Sequence, residues 1–305
     1  MKRRIFILGA HGRLGTALYR SWKKEAASLA IEEVIPLGHK EIDFSNPDKA
    51  AATFAQQSLQ AGDIIVNTAA MADVDACECE QELAMRVNAI TPRLLAKYAA
   101  EHEARLIHLS TDYVFDGKGT RPYTENDTPA PLSHYGASKL EAENAVLTAS
   151  SHHIVVRVSW LFGPDRPSFI DQIIQQALTA TEVAAVHDKI SSPCYTEDLA
   201  DWLTAFFDLS VPGGIYHLCN SGICSWRDYG EYALQTAKRH GINVLTTSVA
   251  PLKMTEVARF VAARPQFTPL DTTKFSKTTG LKLRSWQEAV EAYLGDRSRL
   301  AAPIE

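Results

Sequence analysis

A glycine turn within the first fifteen residues restricts this chain more than any other feature. Ile5 to Leu8 is a short apolar run of strand type, Gly9-Ala10-His11-Gly12-Arg13-Leu14-Gly15 follows, and Leu14 to Trp22 carries apolar residues at helical spacing. Glycine permits the tight turn and lets backbone approach a pyrophosphate, whose charge the N-terminus of the next helix stabilises. A strand-to-helix turn with no ligand can also use glycine, so the motif gains its weight from standing between a strand and an amphipathic helix. Gly9, Gly12 and Gly15 are therefore candidate dinucleotide-binding residues.

The pattern beyond the turn is α/β. Further strands are predicted at Val34 to Leu37, Ile64 to Asn67, Leu106 to Leu109 and Ile154 to Val158, with crossover helices at Glu80 to Ala100 and Tyr135 to Leu147. The alternation predicts a Rossmann-type, doubly wound parallel sheet with a smaller C-terminal substrate lobe. Past Gly163 it loosens into a helix at Phe169 to Leu178, strands near Val183 to Val186 and Gly214 to Leu218, and helices at Glu197 to Phe207, Trp226 to Arg239 and Trp286 to Leu294. The expected division is a dinucleotide-binding domain over 1–165, with 184–220 returning to it, and a substrate lobe from 166–183 and 221–305.

Charge and cysteine usage narrow the partners. A net charge of −5 over 305 residues offers no basic surplus for gripping phosphate backbone, so no nucleic-acid partner is expected. Five cysteines without a C-x-x-C pair read as reduced packing thiols, and no metal site is read from the sequence. Met1-Lys2-Arg3-Arg4 before Ile5 imitates a signal peptide, but the apolar run stops by His11. With no stretch near the roughly 20 apolar residues of a membrane span, no membrane partner is expected and the cytoplasm is the expected compartment.

The chemistry is legible at Tyr135-Gly136-Ala137-Ser138-Lys139, where helical spacing puts a phenol and an ammonium on one face, about 6 Å apart along the axis. A free tyrosine has a pKa of about 10, and a nearby cation favours its anion, bringing proton exchange towards the working range. Tyr135 can then give a proton to a carbonyl oxygen as hydride reaches the carbon from a nicotinamide. Ser110-Thr111 ends the fourth strand, at the sheet edge where ligand groups collect, and a hydroxyl there can bond the same oxygen. Taken alone, Tyr-x-x-x-Lys is also an ordinary exposed helical pair. At the end of the second strand Gly38-His39-Lys40 lacks a carboxylate for a ribose 2′-hydroxyl, so His39 or Lys40 can meet a 2′-phosphate or stay a solvated loop residue. NADPH is the expected cofactor, with NADH open.

With the turn come Ile64-Ile65-Val66-Asn67-Thr68-Ala69-Ala70, Val74-Asp75, Asn88, Ser110-Thr111-Asp112-Tyr113-Val114-Phe115-Asp116-Gly117, Tyr135 to Glu141 and Arg157-Val158-Ser159-Trp160-Leu161-Phe162-Gly163. On these residues the chain resembles the extended short-chain dehydrogenase/reductases, and among them the dTDP-4-dehydrorhamnose reductase family. Pro193 to Ala200, Arg264-Pro265 and Leu270-Asp271 match later landmarks more loosely. The resemblance implies reduction at C4 of a nucleotide-linked 4-keto-6-deoxysugar, with Thr111, Tyr135 and Lys139 catalytic and Tyr135 the proton donor. It implies that Gly12, Arg13 and Leu14 touch the cofactor pyrophosphate, Asp43 and Phe44 lie beside the adenine, Ala69 and Ala70 meet the central portion, and Lys139 the nicotinamide ribose. Thr111, Asp112, Tyr135 and Trp160 would meet the sugar nucleotide, although a tryptophan at 160 is also a common core residue.

Two departures stand out. Met71-Ala72 occupies a place where the family has a polar or aromatic residue and then Thr, and Ser191-Ser192-Pro193-Cys194 replaces Gly-Ser-Pro-Thr. Sugar-nucleotide dehydratases carry Asp-Glu after the catalytic Thr, whereas Asp112-Tyr113 here leaves no second carboxylate for water elimination. A 4-epimerase and a non-catalytic NADP-binding subunit, similar to the regulatory beta subunit of methionine adenosyltransferase, remain the alternatives, and a homodimer is open.

Overall fold

The computed structural model describes residues 3–295, so Met1-Lys2 of the signal-like start and the last ten residues of the expected substrate lobe lie outside the described residues. Five strands, β1 (Arg3–Leu8), β2 (Ile31–Leu37), β3 (Ile64–Asn67), β4 (Arg105–Thr111) and β5 (Ile154–Val158), join Gly214–His217 in one parallel sheet. The spatial order is β2-β1-β3-β4-β5 and then Gly214–His217. Every residue of β3, β4 and β5 is buried, because helices cover both faces and leave no polar side to alternate with.

On one face, helix α1 (Arg13–Lys24) packs against Thr196–Leu203, and Trp22 fills the seam, its indole N–H donating to the Ala200 carbonyl at 2.9 Å. The other face holds Pro47–Ala55, Thr91–Glu101 and His134–Ala149 over Phe6, Leu106 and Val155. The chain leaves β1 for β2 on one side and returns to β3 on the other. That reversal opens a crevice beyond the carboxyl ends of β1 and β3, the place where open α/β sheets bind ligands.

The expected helix over Glu80 to Ala100 is interrupted by a π-turn at Arg86–Ile90, between Gln81–Met85 and Thr91–Glu101. The turn carries Asn88, whose amide bonds both backbone polar groups of Met71 and the Ser138 hydroxyl. Helix Pro47–Ala55 is absent from the sequence reading because it buries only Ala50 and Phe54, too narrow a stripe to show a period.

Val183–Val186 pairs with Val249–Leu252 apart from the main sheet, beneath Phe169–Thr179 and Trp226–Arg239, so residues 184–186, expected to return to the dinucleotide-binding domain, join a C-terminal strand instead. The C-terminal segment is tied to the short helix Val74–Cys79 by an Arg264–Asp75 ion pair at 2.6 Å, and Asp75 also accepts the Val261 and Ala262 N–H groups. Those bonds, Arg264 first, hold the Asp75 carboxyl well below the usual range.

Candidate active site

Close approach explains the glycines. Gly9 has φ +76°, and a β-carbon there would stand 2.7 Å from the Ala69 nitrogen; one at Gly15 would stand 2.2 Å from the Gly9 carbonyl oxygen. The turn thus needs glycine to press β1, β3 and α1 together. Gly12 begins α1 with no side chain capping it, which leaves the first N–H groups directed at whatever enters.

A cleft of about 460 Å³ opens here, lined by Gly9, Gly12, His39, Phe44, Ala69 and Ala70 among the expected residues. His11, Thr68, Met71 and Arg166 also line it. Lys40 is exposed and outside the lining, and Asp43 uses its carboxylate on the Ser45 N–H and hydroxyl. Leu14 is core. Arg13 turns away, its guanidinium donating to the carbonyls of Leu161, Arg166 and Pro167. One residue past Gly38-His39-Lys40, Glu41 does bring a carboxylate to the end of β2, but it is committed to the Gly38 N–H at 2.7 Å. His11 lies so close over Gly38 that a β-carbon there would meet its ring at 2.1 Å. Neither His11 nor Arg166 was readable as a lining residue, since the first is a non-glycine position of the turn that the motif does not specify and the second arrives from 155 residues away with its guanidinium on the His11 carbonyl.

Tyr135 and Lys139 stand one turn apart on His134–Ala149, which Ser133 caps by accepting the Gly136 N–H. The helix sits hard against the turn after β4: a β-carbon on Gly136 would be 2.3 Å from the Tyr113 carbonyl oxygen. Desolvation pushes the Tyr135 pKa up and outweighs the opposing influence of the Thr111 hydroxyl. Lys139 is 2% exposed, and burial, countered by Glu143, lowers its pKa to about 8. Burial therefore dominates both members of the pair, and the site holds Tyr135 as the phenol, the form a proton donor needs.

Of the two hydroxyls ending β4, Thr111 faces the phenol, while Ser110 donates to Glu143, which pairs with Arg157 at 2.6 Å. Asp112 is 2% exposed, and its Oδ2 accepts from Ser159 at 3.1 Å, Ser191 at 3.0 Å and Thr268. Lys189, buried and with its pKa lowered to about 8 by that burial, donates to Thr268 at 2.9 Å. The departure Ser191 thus belongs to the Asp112 network, Met71 to the cofactor cleft, and Cys194 to the core, where burial pushes its thiol up.

Trp160 follows β5 in a left-handed conformation, φ +40°, which a non-glycine residue adopts only where its surroundings hold it. Half-buried against Trp226 and Tyr229, it lines a second cavity, of about 590 Å³, with Arg13, Phe169, Gln172, Gln176 and Phe260. Trp160 Nε1 and the Tyr229 hydroxyl are buried there with no partner among the described residues. An aromatic box with unpaired donors and two amides is suited to a flat, polar-edged ligand.

The family model described as RmlD substrate binding domain matches residues 3–298. The chain is 35% identical to the spore coat polysaccharide biosynthesis protein SpsK of Bacillus subtilis (97% of this chain, 98% of that one). It is 32% identical to the dTDP-4-dehydrorhamnose reductase of Escherichia coli (96% and 97%). Among solved structures, the dTDP-4-dehydrorhamnose reductase of Bacillus anthracis in complex with NADP superimposes with a TM-score of 0.86 at 30% identity, covering 97% of this chain and all of that one. With its glycine cradle, Tyr135 and Lys139 one helical turn apart, and full-length match, this chain belongs to the RmlD substrate binding domain family and is an NAD(P)-linked oxidoreductase on a Rossmann sheet.

Proposed function

We propose that the chain reduces the C4 carbonyl of a nucleotide-linked 4-keto-6-deoxysugar with NADPH, converting dTDP-4-dehydrorhamnose to dTDP-rhamnose. The observation that carries this reading is the half-buried Tyr135 phenol, one helical turn from the buried Lys139 on a helix packed against the turn that follows Thr111 at the carboxyl end of β4. The cradle at Gly9 and Gly15, which β-carbons would fill, and the uncapped start of α1 fit a dinucleotide; Gly12, Ala69, Ala70, Phe44 and His39 would hold it. When bound, the cofactor supplies hydride to the carbonyl carbon. Tyr135 gives its proton to the carbonyl oxygen, so that hydride and proton together make the alcohol, and Thr111 orients that oxygen. The aromatic cavity beside Trp160 would take the nucleotide and keep water from the reacting carbonyl.

The test is to give the purified chain dTDP-4-dehydrorhamnose with NADPH or NADH and follow the loss of reduced nicotinamide. Turnover is expected, with kcat/KM for NADPH at least equal to that for NADH, since His11, His39 and Arg166 line the cofactor cleft while Glu41 is occupied by Gly38. Tight NADPH binding without turnover would instead favour a regulatory subunit.

Trp160→Ala is expected to raise KM for the sugar nucleotide and leave the cofactor dissociation constant unchanged. Its stability loss should fall below the about 3–5 kcal/mol typical of truncating a core tryptophan, because one side of the ring already faces a cavity. A large melting loss with unaltered substrate kinetics would make it a packing residue.

A further inference from the structure

Behind Lys139 lies a row of polar side chains that proton donation by Tyr135 does not itself require. His108 on β4 and Asn67 at the end of β3 are both fully buried and stand opposite each other across the parallel ladder. Asn67 Nδ2 is 3.1 Å from His108 Nδ1, and His108 Nε2 is 3.2 Å from Lys139 Nζ. One end of the row is anchored. The Ala69 backbone N–H donates to Asn67 Oδ1 at 3.0 Å, and a backbone N–H cannot exchange its role, so the amide oxygen faces Ala69 and the NH2 faces His108. An NH2 group only donates, which makes Nδ1 the acceptor and leaves the proton of the neutral ring on Nε2. Burial keeps that ring neutral. The Nε2–H therefore points at Lys139 Nζ, which can accept it as a free amine and cannot as an ammonium.

We propose that Asn67 and His108 are positioning residues for the reducing pair, forming a hydrogen-bond row that opposes a proton on Lys139. The inference rests on the proposed reductase reading only for its catalytic consequence. Four groups act on Lys139 from the elements around it: Glu143 one turn along its own helix and Cys77 from Val74–Cys79 favour the ammonium, His108 opposes it, and Tyr135 is the group it serves. A firmly charged lysine would stabilise the tyrosinate, which suits oxidation of an alcohol. A lysine that holds its proton loosely can return one to the Tyr135 oxygen after each reduction, and the row tunes the site in that direction.

The test uses nuclear magnetic resonance of the full chain with lysine side chains carbon-13 labelled at Cε, the Lys139 signal being assigned by its loss in Lys139→Met. In the native chain Lys139 should titrate well below the ordinary lysine value of about 10.4. His108→Leu removes the opposing N–H and should raise the midpoint by about one pH unit, a tenfold change in the ionisation equilibrium. Asn67→Asp, nearly isosteric and the variant to rely on if His108→Leu does not fold, should raise it too. Its carboxylate accepts from both Ala69 N–H and His108 Nδ1–H, which turns Nε2 into an acceptor for the ammonium. Because a new negative charge alone would act in the same direction, most of that rise must vanish when His108→Leu is added to Asn67→Asp. A His108→Leu midpoint at or below the native one overturns the proposal, as does an Asn67→Asp rise that survives whole in the double variant. The alkaline limb of kcat/KM should move upward with the midpoint. A chain that never oxidises NADPH would sink the reductase reading alone, since the titration is read without substrate.

Discussion

Tyr135→Phe is expected to lower kcat by at least about 100-fold, the usual scale for a lost general acid. The substitution removes one oxygen from a half-buried phenol on the helix that carries Lys139, and the ring keeps its edge contact with Tyr113 at 5.8 Å. Packing should therefore survive, and the NADPH dissociation constant should stay close to native because the Gly9 to Gly15 cradle is untouched. Steady-state kinetics with a cofactor titration measure both. Near-native turnover would take Tyr135 out of the chemistry, and a matched loss of cofactor affinity would make its role one of binding.

Arg157→Leu is expected to cost about 3–5 kcal/mol of stability, as breaking one side of a buried ion pair does. Arg157 and Glu143 have side chains about 1% exposed and form two hydrogen bonds, and Glu143 also takes the Ser110 hydroxyl. Arg157 further lies over the Phe115 ring at 5.0 Å. Removing the guanidinium takes from the buried Glu143 carboxylate its hydrogen-bonded countercharge between β4, β5 and the catalytic helix. Denaturant unfolding gives the loss. The double variant Glu143→Leu/Arg157→Leu should recover part of it, since two apolar side chains replace a desolvated pair instead of orphaning one charge. A single variant within about 1 kcal/mol of native would mean that water or a rearranged Ser110 satisfies Glu143.

Local features made the fold legible. Each of β3, β4 and β5 carries a short apolar stretch and is buried on both faces, and the glycine turn joins one strand directly to one helix. Tyr135 and Lys139 needed only helical spacing to be placed together, and Thr111 needed only its strand end. The π-turn at Arg86–Ile90 was hidden because a single inserted residue barely disturbs an apolar stripe, although it carries the Asn88 amide that ties Met71 to Ser138.

What the sequence by itself determined was therefore everything carried by short-range order: the parallel α/β plan, the glycine cradle, and the phenol and amine one turn apart. The tertiary structure alone decided the environment of those groups. It gathered Asp112, Ser159, Ser191, Thr268 and Lys189 from four separate stretches, set His108 and Asn67 behind Lys139, and brought Arg166 to the cofactor cleft. Burial, which outweighs the Thr111 hydroxyl at Tyr135 and the Glu143 charge at Lys139, is a property of the whole packed chain, so no spacing in the sequence could reveal its sign or size.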